Sequence, residues 1–131
     1  MKKRANILLI DDDPITNFVN KKLLGKIAVV NNVLLANNGK AAIHLLKEQS
    51  DSGVKLDFIL LDINMPMMNG INFMKAYLEL DQINTVKVIV LTTSTHPRDL
   101  ESFTGLPIAD FLNKPLTIPK IEAVLEKHFT V

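Results

Sequence analysis

The chain has 131 residues, of which 47% are hydrophobic and 22% charged, with a formal net charge of +1 and no cysteine. That length suits one domain with a substantial core, and the near-neutral balance leaves no electrostatic footprint for nucleic acid. The absence of cysteine excludes disulfides and thiolate metal sites. Met1-Lys2-Lys3-Arg4 has the basic start of a signal peptide, but the apolar run behind it stops at Asp11, and nothing approaches the ~20 apolar residues of a membrane span. A cytoplasmic protein with one domain over residues 1–131 and no membrane partner is expected.

The first apolar run, Ile7–Ile10, is too short for a helix and predicts a strand that ends in Asp11-Asp12-Asp13. Asp13-Pro14 reads as an N-cap followed by proline at the first helical position, where a missing N–H costs nothing. Ile15, Phe18, Val19 and Leu23 then recur at helical spacing, which predicts that they face the core and leave Lys21 and Lys22 outside. Val29–Leu35 predicts a second strand. Ala41, Ala42, Leu45 and Leu46 mark a second helix, Phe58–Leu61 a third strand, and Ile71, Met74, Tyr77 and Leu78 a third helix opened by Asn69-Gly70.

Val86–Leu91 and Ile108–Leu112 are the fourth and fifth strands. The crossover between them, His96 to Gly105, is thin in apolar residues and is the weakest helix candidate, expected to be short or mobile. Thr117 and Pro119 open the last helix, whose stripe is Ile121, Val124, Leu125 and Phe129. Continuous rather than alternating apolar strands are those of a parallel sheet covered on both faces. Strand–helix alternation gives right-handed crossovers, and ligands bind such sheets outside the carboxyl ends of the strands.

That rule gathers Asp11, Asp12 and Asp62 in one crevice. Asp13 is needed as the cap; Asp11 and Asp12 are not. Asp62 closes an apolar strand and precedes Met65-Pro66-Met67-Met68-Asn69-Gly70, a loop that is apolar where an ordinary turn would be polar. Like charges brought together repel, and a cation or shared protons must relieve them. Magnesium takes one or two carboxylates and completes its octahedron with waters and phosphate oxygens. Asp12, Asp62 and a backbone carbonyl at Asn64 suit it. Thr92 ends the fourth strand with a hydroxyl able to donate to an anionic oxygen. Lys114, between an apolar strand and Pro115, offers a compact charge with three donors for a phosphoryl group or paired carboxylates. The three histidines, His44, His96 and His128, share no ligand spacing and read as surface residues.

Taken together, Asp11-Asp12, the Asp62…Met65-Pro66…Asn69-Gly70 loop, Leu91-Thr92 and Lys114-Pro115 resemble the receiver domain of two-component response regulators, over nearly the whole chain. Ala36-Asn37-Asn38-Gly39-Lys40-Ala41 resembles the way that family begins its second helix. The resemblance implies a stand-alone, chemotaxis-regulator-like receiver. Its fold would be α/β and flavodoxin-like, a (βα)5 doubly wound five-stranded parallel sheet in strand order 2-1-3-4-5, with no output domain. It implies Asp62 as phosphoacceptor and reacting group together with Lys114, and Mg²⁺ held by Asp11, Asp12, Asp62 and the Asn64 carbonyl. Thr92 and Lys114 would bind the phosphoryl group, Phe111 would be the aromatic switch, and Asn64 and Ser94 would tune phosphate lifetime.

The implied partners are a sensor histidine kinase or histidine phosphotransfer protein and a downstream effector protein. That effector would dock on the surface of the fourth crossover, fifth strand and last helix, and the chain would be a monomer or weak dimer. By the same resemblance the protein is a switch with weak autophosphorylation and autodephosphorylation, not a true enzyme. Asn69 stands where the family more often has Asp, Thr93 where a smaller residue is common, and Gly105–Phe111 is longer than usual. A flavin-phosphate loop would want Ser, Thr and Gly after the first strand, and aspartate phosphatases of the haloacid dehalogenase type want a second acid that Asp62-Ile63-Asn64 lacks. A phosphorylation-independent module would tolerate an eroded site, and this one has all its key residue types.

Overall fold

The computed structural model describes residues 5–52, 56–62, 70–78, 86–92, 105 and 108–128. Five strands alternate with helices in chain order: β1 (Ala5–Ile10), α1 (Pro14–Gly25), β2 (Val30–Ala36), α2 (Gly39–Ser52), β3 (Phe58–Asp62), α3 (Gly70–Leu78), β4 (Lys87–Thr92), β5 (Ile108–Asn113) and α4 (Ile118–His128). The strands form one five-stranded parallel sheet in the order β2-β1-β3-β4-β5. The expected doubly wound α/β architecture and strand order are both present. The expected strands Ile7–Ile10, Val29–Leu35, Phe58–Leu61, Val86–Leu91 and Ile108–Leu112 each appear within two residues of the observed ends. Residues 63–69, including Asn64, lie outside the described residues, as do Thr93, Ser94 and residues 96–104 of the expected fourth crossover.

Because strand side chains alternate between faces, the sheet supports two cores. Ile7, Leu9, Leu60, Ile89 and Leu91 pack with Leu24 of α1 and with Ile121, Val124 and Leu125 of α4. Leu8, Ile10, Ile59, Leu61 and Val90 pack on the other face with Ala42 of α2 and Phe73, Met74 and Tyr77 of α3. Each fully buried Leu, Ile or Phe contributes roughly 1.5–3 kcal/mol, so the three central strands, whose apolar residues are almost wholly buried, carry the fold. The continuous apolar runs overstate burial at the edges: Asn31 and Asn32 of β2 and Phe111 and Asn113 of β5 are exposed.

Local chemistry explains the helix starts. Asp13 caps α1, its Oδ1 accepting from the Ile15 N–H at 3.0 Å and its Oδ2 from the Thr16 hydroxyl at 2.7 Å, with Pro14 at the first position. Those bonds hold the Asp13 carboxyl below its ordinary pKa of 3.8, the Thr16 hydroxyl most strongly. Asn38 caps α2 by accepting from the Ala41 N–H at 2.7 Å. In α3 Phe73 and Tyr77, one turn apart, stack at 5.8 Å, and burial pushes the Tyr77 hydroxyl up to about 12.

Two expectations about side chains fail. Most of the α1 stripe does not face the core: Ile15 is 74%, Phe18 59% and Val19 55% exposed, while Asn17, Asn20 and Leu24 are buried. Of the four expected residues only Leu23 is half-buried and packs against the core. The helix is rotated so that a pair of asparagines, Asn17 and Asn20, is buried in place of the apolar residues. His128 is not a surface residue either: its ring nitrogen Nε2 lies 2.9 Å from Asp110 Oδ2 on β5 and its side chain is 17% exposed. A neighbouring carboxylate gives the ring a reason to turn inward that one-dimensional spacing does not reveal.

Candidate functional site at the carboxyl edge of the sheet

The strand register builds the site. Ile10 pairs with Leu61, Asp62 with Leu91 and Thr92 with Asn113. Asp11 therefore follows β1 beside the end of β3, and Lys114 follows β5 beside the end of β4. Two backbone bonds extend the ladder just past the strands, Asp11 N–H to Ala36 O at 3.2 Å and Lys114 N–H to Thr92 O at 2.8 Å. Residues 103 positions apart in sequence thereby meet: Lys114 Nζ donates to Asp11 Oδ2 at 2.8 Å and lies 3.1 Å from Asp62 Oδ1.

Asp11 and Asp62 are buried, Thr92 is buried at the end of β4, and Asp12 is exposed. Carboxylate oxygens of Asp11, Asp12 and Asp62 all lie within 4.8 Å of one another. Burial of the Lys114 ammonium pulls its pKa down, but the hydrogen bonds and charges of Asp11 and Asp62 outweigh that, and the net pKa lies above the ordinary 10.5. Three carboxylates against one ammonium leave a formal excess of two negative charges in the crevice. The donors are hard oxygens, the set that magnesium or calcium takes and that zinc or copper sites rarely rely on alone. The residues present therefore fit a hard divalent cation.

Asp11, Asp12, Asp62, Thr92 and Lys114 thus sit together at one sheet edge. Phe111 stands on β5 opposite Val90 and is 36% exposed. Reasoning from sequence missed Asn17, which is 1% exposed and donates from Nδ2 to the Asp11 carbonyl at 2.8 Å. The only hint was an asparagine, a poor helix former, inside a helix. It also missed the outward apolar face of α1. Between that face and residues 114–116 runs a cleft of about 390 Å³, with Ile15, Val19 and Asn20 on one wall and Lys114, Pro115 and Leu116 on the other. Lys22 Nζ lies 4.6 Å over the Phe18 ring.

The structure thus defines a doubly wound parallel α/β domain that gathers three acids and one lysine at the carboxyl edge of its sheet. Comparison with known proteins narrows it. The profile of the response regulator receiver domain matches residues 7–126. Two-component response regulator 24 of Arabidopsis thaliana is 32% identical over 126 residues, covering 96% of this chain and 85% of that protein. The probable C4-dicarboxylate response regulator DctR of Halalkalibacterium halodurans is 29% identical over 93% of this chain, which spans only 50% of it. A two-component response regulator from Cytophaga hutchinsonii superposes with a TM-score of 0.85 at 31% identity, covering 95% of this chain and 96% of that one. The chain belongs to the response regulator receiver domain family. Among its described residues no helix is long and apolar enough to cross a membrane.

Proposed function

We propose that the chain is a phosphorylation switch in which Asp62 accepts a phosphoryl group from a phosphohistidine on a sensor kinase or phosphotransfer protein. The observation that carries this reading is Lys114 Nζ bridging Asp11 Oδ2 and Asp62 Oδ1 inside a cluster of three carboxylates. An Asp62 carboxylate oxygen attacks phosphorus, the phosphorus–nitrogen bond of the donor breaks, and its electron pair returns to the imidazole, which takes up a proton. The product is an acyl phosphate whose phosphoryl group carries about two negative charges at neutral pH in place of the single charge of the carboxylate. Asp11, Asp12, Asp62 and the Asn64 carbonyl are the groups to hold Mg²⁺. When bound, the ion neutralises charge on the phosphoryl oxygens.

Lys114 is already charged and within reach of Asp62, so it can follow the phosphoryl group with little reorganisation. The Thr92 hydroxyl is the second donor. Movement of Thr92 toward the phosphoryl group makes room for Phe111 to leave its half-exposed position and turn inward, which changes the β5–α4 surface offered to an effector protein. Asn64 and Ser94 set how readily water reaches the acyl phosphate. The donor protein docks on the exposed Ile15, Phe18 and Val19 face, which borders the cleft beside Lys114. Exposed Lys21, Lys22 and Lys26 fringe that face and fit a helical partner with an acidic rim.

Asp62→Asn tests the core of this reading. Incubation with acetyl phosphate and Mg²⁺ should label the wild type, detected as a mass increase on Asp62, and leave the variant unlabelled. Labelling that persists in Asp62→Asn refutes the assignment.

A further inference from the structure

Asn17 occupies an unfavourable position for an asparagine. It sits within α1, 1% exposed, and its Oδ1 is buried with no hydrogen-bond partner. A leucine of nearly the same shape would remove that unsatisfied acceptor, so what the asparagine contributes lies at its other end. Nδ2 donates to the Asp11 carbonyl at 2.8 Å and to Asn37 Oδ1 at 3.3 Å. The Asp11 carbonyl can only accept, which fixes which end of the amide faces it.

The Asp11 carbonyl belongs to the peptide plane that joins Asp11 to Asp12. Holding one edge of a rigid plane sets the direction in which both flanking residues leave it. The remaining polar atoms of Asp11 are also held: its N–H by Ala36 O at 3.2 Å, Oδ1 by the Asp13 N–H at 3.0 Å, and Oδ2 by Lys114 at 2.8 Å. Asp12 is exposed, and no side-chain hydrogen bond holds it among the described residues. Its aim toward Asp62 therefore depends on the plane that Asn17 grips. Asn37 orients the Asn17 amide in turn, and its neighbour Asn38 caps α2, so the grip reaches from α1 to the start of α2.

We infer that Asn17 is a positioning residue for the acidic site, acting through the Asp11–Asp12 peptide to pre-set the carboxylates that receive a divalent cation. This rests on the phosphoacceptor reading above. Groups that orient metal ligands typically govern affinity by about 10–100-fold.

The test is Asn17→Leu, with Mg²⁺ affinity measured by calorimetry and by amide chemical shifts of Asp12 and Asp62, alongside thermal unfolding without metal. The expected result is a variant as stable as the wild type, or more so, that binds Mg²⁺ about 10-fold more weakly. Its acetyl phosphate labelling should recover as Mg²⁺ is raised. Asn37→Ala, a change at an exposed position, should cause a smaller loss in the same direction and keeps the test decisive should Asn17→Leu not fold. Wild-type Mg²⁺ affinity in the folded variants overturns the inference while leaving the phosphoacceptor reading intact. Absence of Mg²⁺ binding and labelling in the wild type overturns both.

Discussion

Helices α1 and α4 lie on the same face of the sheet and share one core, yet they treat their apolar stripes in opposite ways. In α4, Ile121, Val124 and Leu125 are buried against the strands, as their spacing predicts. In α1 the equally regular Ile15, Phe18 and Val19 point to solvent, and Asn17, Asn20 and Leu24 face inward. Periodicity reports that a helix has an apolar face; it does not report what that face touches. Where a helix flanks a site, the inner face can be polar because it serves the site, and the apolar face becomes available to a partner.

The largest expected effect belongs to the helix that obeys its pattern. Leu125→Ala removes a side chain that is 2% exposed and should cost about 2–5 kcal/mol of unfolding free energy, read by urea denaturation. A loss within about 0.5 kcal/mol would mean that α4 docks less tightly than its buried stripe indicates, and the contrast with α1 would dissolve.

The fold was legible because burial on both faces leaves a plain mark: short Ile-, Val- and Leu-rich runs separated by helical spacing. The site was legible in part because Asp11, Asp62, Thr92 and Lys114 each follow or close such a run, so locating the strands locates the chemistry. The orientation of α1 was not. Ile15, Phe18 and Val19 have the spacing of a core stripe, and nothing local distinguishes a stripe that faces solvent. Asn17 and the Asp110–His128 pair were hidden for a related reason: hydrogen bonds across 6 and 18 residues depend on how elements meet, which composition does not encode.

The end of α4 carries a second, smaller difference from α1. His128 and Lys127 pair with Asp110 Oδ2 at 2.9 and 3.7 Å, and Lys87 Nζ donates to the His128 carbonyl. Burial works to raise the Asp110 pKa, but His128, the Phe111 N–H and Lys127 outweigh it, so the carboxyl titrates below its ordinary 3.8. A folded-state value below the unfolded one contributes stability above that unfolded value, and the contribution is lost as pH falls through the lower, folded one. Asp110→Asn should therefore cost about 1 kcal/mol near neutral pH. The gap between variant and wild type should close below pH 3.8. An equal gap at both pH values in paired urea titrations would assign the loss to packing instead.

The smallest effect on stability, and the most informative, is expected on α1. Phe18→Ala removes a ring that is 59% exposed and whose close cationic neighbour is Lys22, so unfolding free energy should shift by no more than about 0.5 kcal/mol. Labelling by acetyl phosphate needs only the crevice and should be unchanged. Transfer from a phosphohistidine protein needs a docking face and should slow, with the loss appearing at subsaturating donor and shrinking as donor is raised. Ile15→Ala, 74% exposed beside the same cleft, should behave alike. If both variants took phosphoryl groups from the protein donor at wild-type rates while Leu125→Ala unfolded as expected, the outward stripe would need an explanation other than docking. If instead Phe18→Ala destabilised the fold as Leu125→Ala does, the helix would pack by its apolar stripe after all, and its buried asparagines would lose the role argued for them.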